Sequence, residues 1–171
     1  MRPTEDEMRA KVVQEALSWK DTPYIPRGMV KGPNGGCDCL TFLAQVYERA
    51  GIIDALPIPH YARDFFLHDD FEFYLLGKGD TPGVLHFCEE IFETPKPADV
   101  VLWKFGKSFS HAAIVIEWPV IIHAFAMRPV SPDNAEVKSV LKRYVEVKAL
   151  RGQIRPRRFF TVKDWYRGIP I

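Results

Sequence analysis

Apolar residues recur at helical intervals in two segments near the start of the chain. The first, residues 4–19, opens with threonine and glutamate at the spacing of a capping box. The second begins at Cys39, shortly after a glycine pair, and its apolar stripe continues until Gly51, a natural helix end. The pattern predicts two helices, 4–19 and 39–50, separated by a loop rich in proline and glycine.

Beyond the second predicted helix, the spacing of apolar residues changes and becomes typical of strands. Residues 55–97 are irregular and rich in proline, with one short helical pattern near 69–76. Runs of β-branched and aromatic residues follow, and they predict strands at 100–105, 112–118, 120–125, 140–150 and 157–162. Helices followed by strands predict an α+β domain, in which the helices pack on one face of an antiparallel sheet of about five strands.

Length and composition narrow the class of protein. The chain has 171 residues, of which 47% are apolar, so we expect a single domain spanning 1–171. A net charge of +1 gives no reason to expect a nucleic-acid or membrane partner. The polar, acidic start carries no signal peptide, which predicts synthesis in the cytoplasm. Three cysteines, two of them one residue apart, fit a reducing compartment better than a disulfide framework.

Cys39 stands where a cysteine nucleophile is expected, because the positive end of a helix favours the thiolate. Such a nucleophile needs a base, and the base needs an orienting group. His111 and His123 are the candidates, on strands joined by a turn around 118–119. A turn centred on Trp118 places Ala113 opposite His123, with His111 on the same face. An even number of loop residues would separate the two histidines.

These residues resemble a known family. Asp38-Cys39 opens a helix, Ser110-His111 opens a strand, and Ile122-His123-Ala124 follows so that the histidines are twelve residues apart. This order is similar to that of the NlpC/P60 cysteine peptidases over residues 8–126. The phage-associated branch, found with tail-assembly genes, is the most similar, since it also carries Lys-Gly before Cys-Asp-Cys.

The resemblance implies a papain-like fold and hydrolysis of amide bonds in bacterial peptidoglycan stem peptides, between γ-D-glutamate and a diamino acid. It implies that Cys39 is the nucleophile, His111 the base and His123 the group that orients His111. Tyr24 would line the cleft and donate a hydrogen bond. The chemistry would need no metal or other cofactor.

The resemblance also covers the residues around the cysteine. Asp38 would shape the helix N-terminus, whose amides could form an oxyanion hole. Leu40 and Thr41 replace the usual Ser-Gly pair, and the serine is commonly a substrate contact, so these two positions would bear on specificity. The chain has no recognisable wall-binding module. Targeting to the cell wall would therefore come from a partner, from a virion or from lysis, and the resemblance to the phage-associated branch makes phage tail components a possible partner.

Other interpretations remain open at this stage. Cys39 could be an inert core cysteine, and Cys37 with His60 or His68 could form part of a metal site. The segment 55–97 is either a satellite core or a wall over the cleft. The whole chain could be a non-catalytic tail-assembly protein with the same fold. It could also be a thiol amidase or acyltransferase acting on a substrate other than the cell wall.

Overall fold

The computed structural model describes residues 3–56, 58, 60–61, 71–105, 108–125, 144–150 and 155–165. Its helices are α1 Glu5–Leu17, α2 Cys39–Arg49 and α3 Phe71–Leu76. Its strands are β1 Met29–Val30, β2 Gly36–Cys37, β3 Cys88–Ile91, β4 Val100–Phe105, β5 Ser108–Glu117, β6 Val120–Phe125, β7 Tyr144–Ala149 and β8 Arg157–Val162. Within these residues no helix has the length and apolar character needed to cross a membrane.

Both long helices begin at a side-chain cap. The hydroxyl of Thr4 accepts the amide of Glu7, whose carboxylate returns to the Thr4 backbone, which confirms the predicted capping box. Asp38 caps α2. Every residue of 39–47 is buried, so α2 is enclosed on all sides rather than along one apolar stripe. Full enclosure fixes the first turn of the helix firmly within the core.

The main sheet is antiparallel and has the order β3-β8-β4-β5-β6-β7. The fold is therefore α+β, as predicted, with α1 and α2 packed against one face. The sheet has six strands where about five were expected, because β3 lies within the segment that looked irregular in sequence. The loop between the helices also contains a small pair, β1 and β2.

The β5–β6 hairpin has the predicted register. Ile114 pairs with Ile122 and Val115 with Ile121, and continuing this register places Ala113 opposite His123. The register shifts by one only at the turn, where Glu117 pairs with Val120. His111 and His123 therefore belong to the same face of the hairpin, which confirms the geometric condition set by the sequence.

A β-bulge interrupts β5 directly before His111. Trp103 of β4 pairs with His111 and Lys104 pairs with Phe109, so Ser110 is an extra residue without a partner across the ladder. Bulges bend a strand locally and redirect the side chains beside them. The bulge therefore sets the direction of the His111 side chain separately from the start of the strand.

The segment 55–97 is attached to the sheet beside the same strand. Glu72 of α3 accepts the backbone amide of Phe109, at 3.2 Å, and pairs with Arg158 of β8. Arg158 also forms a two-pronged ion pair with Glu90 of β3. These contacts hold α3 against the start of β5. Residues 69–70 of the predicted helix lie outside the described residues.

Candidate active site

Cys39 is the first residue of α2 and lies against β5. Its side chain is only 2% exposed, and the thiol is free, like those of Cys37 and Cys88. The backbone N–H of Ala112, the residue directly after His111, is close enough to the sulfur to lower the pKa of the thiol. The helix start and the histidine strand thus meet at this sulfur.

The thiol of Cys39 is neutral at rest. Burial raises its pKa well above the ordinary value, the carboxylate of Asp38 raises it further, and the Ala112 amide offsets part of the increase. The amide at the helix end does lower the pKa of this thiol, as expected, but burial and then the Asp38 charge outweigh that effect, so the net change is an increase.

Asp38 is completely buried and its carboxylate is surrounded by donors. One oxygen accepts the amides of Leu40 and Thr41 at 3.1 and 3.0 Å and the Thr41 hydroxyl at 3.1 Å. The other oxygen accepts the amide of Arg27 at 2.7 Å and the hydroxyl of Tyr61 at 2.5 Å. These bonds occupy the amides of Leu40 and Thr41, so those two amides are not available to hold an oxyanion, whereas the amide of Cys39 is not among the described donors to Asp38.

Leu40 and Thr41 are fully buried beneath this carboxylate. Neither side chain has exposed surface with which to touch a substrate, and the Thr41 hydroxyl completes the capping box instead. Their side chains therefore position the helix that carries Cys39.

Two tyrosines lie beside the same helix end. Tyr24 bridges to Cys37 through its backbone and packs partly buried against the core. Tyr61 belongs to the segment 55–97, and burial together with the Asp38 charge raises its pKa far above the ordinary value, with a smaller contribution from Tyr24. Tyr61 was not singled out in the sequence for any contact with the site. Tyr61 lies in a segment without periodic pattern, so the sequence does not predict that its hydroxyl reaches Asp38.

The two histidines are in direct contact. His111 Nε2 lies 2.8 Å from His123 Nδ1, and both residues are buried, with 9% and 6% of their surface exposed. The His111 ring stacks on Trp103, with 5.6 Å between ring centres, and meets Phe125 edge-on. The predicted pair of histidines is thus brought together within a rigid aromatic enclosure.

Burial keeps this pair uncharged. It lowers the pKa of His111 well below the ordinary value, and a charge on His123 would lower it further. Burial also lowers the pKa of His123, against the opposing effect of Glu146 and with a smaller lowering from Lys148. Both imidazoles are therefore neutral at physiological pH and able to accept a proton.

Glu146 extends the pair to the edge of the sheet. It sits directly opposite His123 in the β6–β7 ladder, and its Oε1 lies 3.1 Å from His123 Nε2. Its side chain is 32% exposed. Sequence analysis missed this residue although it predicted the strand, because the pairing of β6 with β7 depends on the intervening segment, residues 126–143.

Two further polar atoms lie beside His111. In the described part of the chain, Ser110 Oγ and Trp103 Nε1 are buried without a hydrogen-bond partner. Buried polar groups are usually paired, by protein, water or ligand. Both atoms can donate, so they add hydrogen-bonding capacity next to the base.

The metal site considered from the sequence finds no support among the described residues, which contain no group of three or more potential ligands. His60 contacts the guanidinium of Arg27. His68 lies outside the described residues.

Comparison with known proteins places the fold. No protein-family model matches the sequence, and a search of curated proteins also finds no match. Among solved structures, the NlpC/p60 domain of the peptidoglycan hydrolase SagA superposes with a TM-score of 0.50 at 19% identity, covering 88% of this chain and 96% of its own. RipD from Mycobacterium tuberculosis, a non-catalytic NlpC/p60 domain protein adapted to peptidoglycan binding, gives 0.50 at 12% identity, covering 91% and 97%.

These similarities extend over most of both chains, at identities too low to carry activity from one protein to another. They show that the chain has the papain-like fold of NlpC/P60 domains.

Proposed function

We propose that this protein is a cysteine hydrolase of the NlpC/P60 family that cleaves peptidoglycan stem peptides between γ-D-glutamate and a diamino acid. One observation carries the proposal. Cys39 begins the helix that packs on β5, near enough to the Ala112 amide beside His111 for that amide to lower the pKa of the thiol, while His111 contacts His123. The fold supports it, because SagA is a peptidoglycan hydrolase. The same three residues carry the resemblance in sequence.

The proposed reaction has two steps. The Cys39 thiol gives its proton to His111 as sulfur attacks the scissile carbonyl, forming a C–S bond. The C–N bond then breaks, and the proton on His111 goes to the departing amine of the diamino acid. In the second step His111 takes a proton from water, which attacks the thioester. The C–S bond breaks, and the proton returns to the Cys39 sulfur.

The charge states of Cys39 and His111 in the resting site are consistent with these two steps. A neutral thiol beside a neutral imidazole requires proton transfer and attack to be coupled, rather than a permanent ion pair. Asp38 occupies the amides of Leu40 and Thr41, so we assign the developing oxyanion to the amide of Cys39 and the Tyr24 hydroxyl. We assign to Asp38 the task of fixing the helix end.

We extend the proposal to the whole chain as one catalytic unit, 1–171, with the segment 55–97 flanking the cleft. The contact of Tyr61 with Asp38 supports this arrangement, because it joins that segment to the residue preceding the nucleophile. Action at the cell wall after delivery with phage tail components stays a prediction from the sequence resemblance.

The test is incubation with purified muropeptides, followed by mass spectrometry of the products. We expect cleavage into a fragment ending in D-glutamate and a fragment beginning with the diamino acid, with one water added. Cys39→Ala should abolish cleavage, whereas Cys88→Ala, at another buried free thiol, should leave it intact. Intact muropeptides across several wall chemotypes would overturn the proposal.

A second candidate is a non-catalytic peptidoglycan-binding or tail-assembly protein. The 2% exposure of Cys39 favours it, as does the fold shared with the non-catalytic RipD. Iodoacetamide labelling near neutral pH separates the candidates. A Cys39 that resists labelling, in a protein that binds muropeptides without cleaving them, favours the second. A Cys39 that labels quickly while muropeptides stay intact favours a thiol amidase or acyltransferase with another substrate.

A further inference from the structure

We infer that Glu146 is a positioning residue that sets which nitrogen of His111 acts as the base. This inference rests on the proposed function, because it assigns a role within the Cys39–His111 pair. It begins with three groups in contact: His111 Nε2 to His123 Nδ1 at 2.8 Å, and His123 Nε2 to Glu146 Oε1 at 3.1 Å.

The direction of these bonds follows from the carboxylate. An ionised carboxylate can only accept, so His123 Nε2 must carry a hydrogen and donate it to Glu146. His123 is neutral, and its other nitrogen, Nδ1, is therefore an acceptor. His111 Nε2 must then carry a hydrogen and donate it to His123 Nδ1. His111 is also neutral, which leaves its Nδ1 as the atom that accepts the proton of the nucleophile.

The packing around the two imidazole rings keeps these hydrogen bonds in the same arrangement. His111 is fixed by its stack on Trp103, and His123 lies parallel to the ring of Phe125, 5.2 Å between centres. Neither imidazole can turn over without disturbing this packing. Glu146 lies directly across the ladder from His123 on the edge strand β7, so backbone pairing holds its side chain on the correct face.

Two charged groups on β7 face His123. Glu146 favours a positive charge there, and Lys148, two residues further along the strand, opposes it. About a third of the Glu146 side chain is exposed, so the hydrogen-bonded chain from His111 through His123 to Glu146 ends at the solvent.

Substitutions separate this role from a packing role. Glu146→Leu fills similar space but offers no acceptor, so nothing holds the hydrogen of His123 on Nε2. We expect Glu146→Leu to lower kcat about as much as Glu146→Ala, by roughly 10- to 100-fold, with KM little changed. Glu146→Gln and Glu146→Asp, which keep an acceptor oxygen, should retain more activity than either.

The matched control is Glu89, an exposed glutamate on β3 at the opposite edge of the sheet. Glu89→Leu and Glu89→Ala should leave kcat unchanged. If Glu146 only fills space, Glu146→Leu should retain full activity while Glu146→Ala loses it. That result overturns the inference.

A direct measurement makes the inference independent of substrate. The ¹⁵N shifts of the imidazoles in the Cys39→Ala protein report which nitrogens carry hydrogen. We expect Nε2–H on both His111 and His123, and a mixture of Nε2–H and Nδ1–H in the Glu146→Leu protein. Hydrogen on Nδ1 of His111 in the parent protein would overturn the inference. If the tautomers are as expected but muropeptides stay uncleaved, the proposed function is refuted. The hydrogen-bonded chain from His111 through His123 to Glu146 is then still supported.

Discussion

Two carboxylates stand at opposite ends of the candidate site, and their surroundings differ. Asp38 is fully buried and accepts hydrogen bonds from the first turn of α2, from Arg27 and from Tyr61. Glu146 lies at the edge of the sheet, is about one-third exposed and meets His123. A buried carboxylate saturated by donors holds structure together, whereas an exposed one at the end of a histidine pair can direct protons.

The largest loss of activity is expected for a substitution of His111, at the end of the site that holds the histidine pair. His111→Gln removes the base, and we expect kcat for muropeptide cleavage to fall about 1,000-fold, since general base catalysis typically contributes 10²- to 10⁴-fold. The free energy of unfolding at neutral pH should change much less. His86→Gln is the matched control, because the His86 ring contacts the carbonyl of Gly83 in its own turn and the ring of the neighbouring Phe87, away from the candidate site. Equal losses in the two variants would contradict the assignment of His111.

The second-largest effect is expected at the opposite end of the site, for a substitution of Asp38. Asp38→Asn places an amide NH₂ among donors that need an acceptor, and we expect the free energy of unfolding to fall by about 3 kcal/mol. Urea unfolding measures this, with the exposed Asp54→Asn just beyond α2 as control. In the variant that still folds, Cys39 should label at lower pH, because the Asp38 charge that raises the pKa of the thiol is gone. Unchanged stability would show that Asp38 is not the structural carboxylate of the pair.

The smallest effect concerns pH. Burial lowers the pKa of His111 in the folded state below that of the unfolded chain, about 6.5, so the unfolded chain binds a proton that the folded protein does not. Stability is therefore greatest above that pH and falls on acidification, by about 1.4 kcal/mol per pH unit for one proton. In His111→Gln the fall between pH 6.5 and 5.5 should be shallower in urea midpoints. Parallel profiles for both proteins would contradict a neutral buried His111.

The local sequence pattern was enough to predict one half of this site, namely the start of α2 and the pairing of the two strands that carry the histidines. The start of α2 follows from a cap and a glycine pair, and the register of β5 with β6 follows from a short turn. The three strands β4, β6 and β8 have the predicted bounds, because β-branched and aromatic runs bury well in a sheet.

The other half depends on contacts between distant parts of the chain. Glu146 reaches His123 only through the pairing of β6 with β7, and Tyr61 reaches Asp38 from a segment without periodic pattern. The pKa of Cys39 was expected in the wrong direction for a related reason. Helix position suggested a positive field, but burial and the Asp38 charge, which depend on the whole fold, determine the outcome.

The bulge at Ser110 has a consequence for how the chain can change over evolution. The residues before it, Ser108 and Phe109, follow the position of α3 through Glu72, while those from His111 onward follow the hairpin with β6. The extra residue lets each part of the strand keep its own alternation. The part of the segment around α3 can thus shift or change in sequence while the histidine keeps its orientation, which lets this outer region diversify beside a constant pair of histidines.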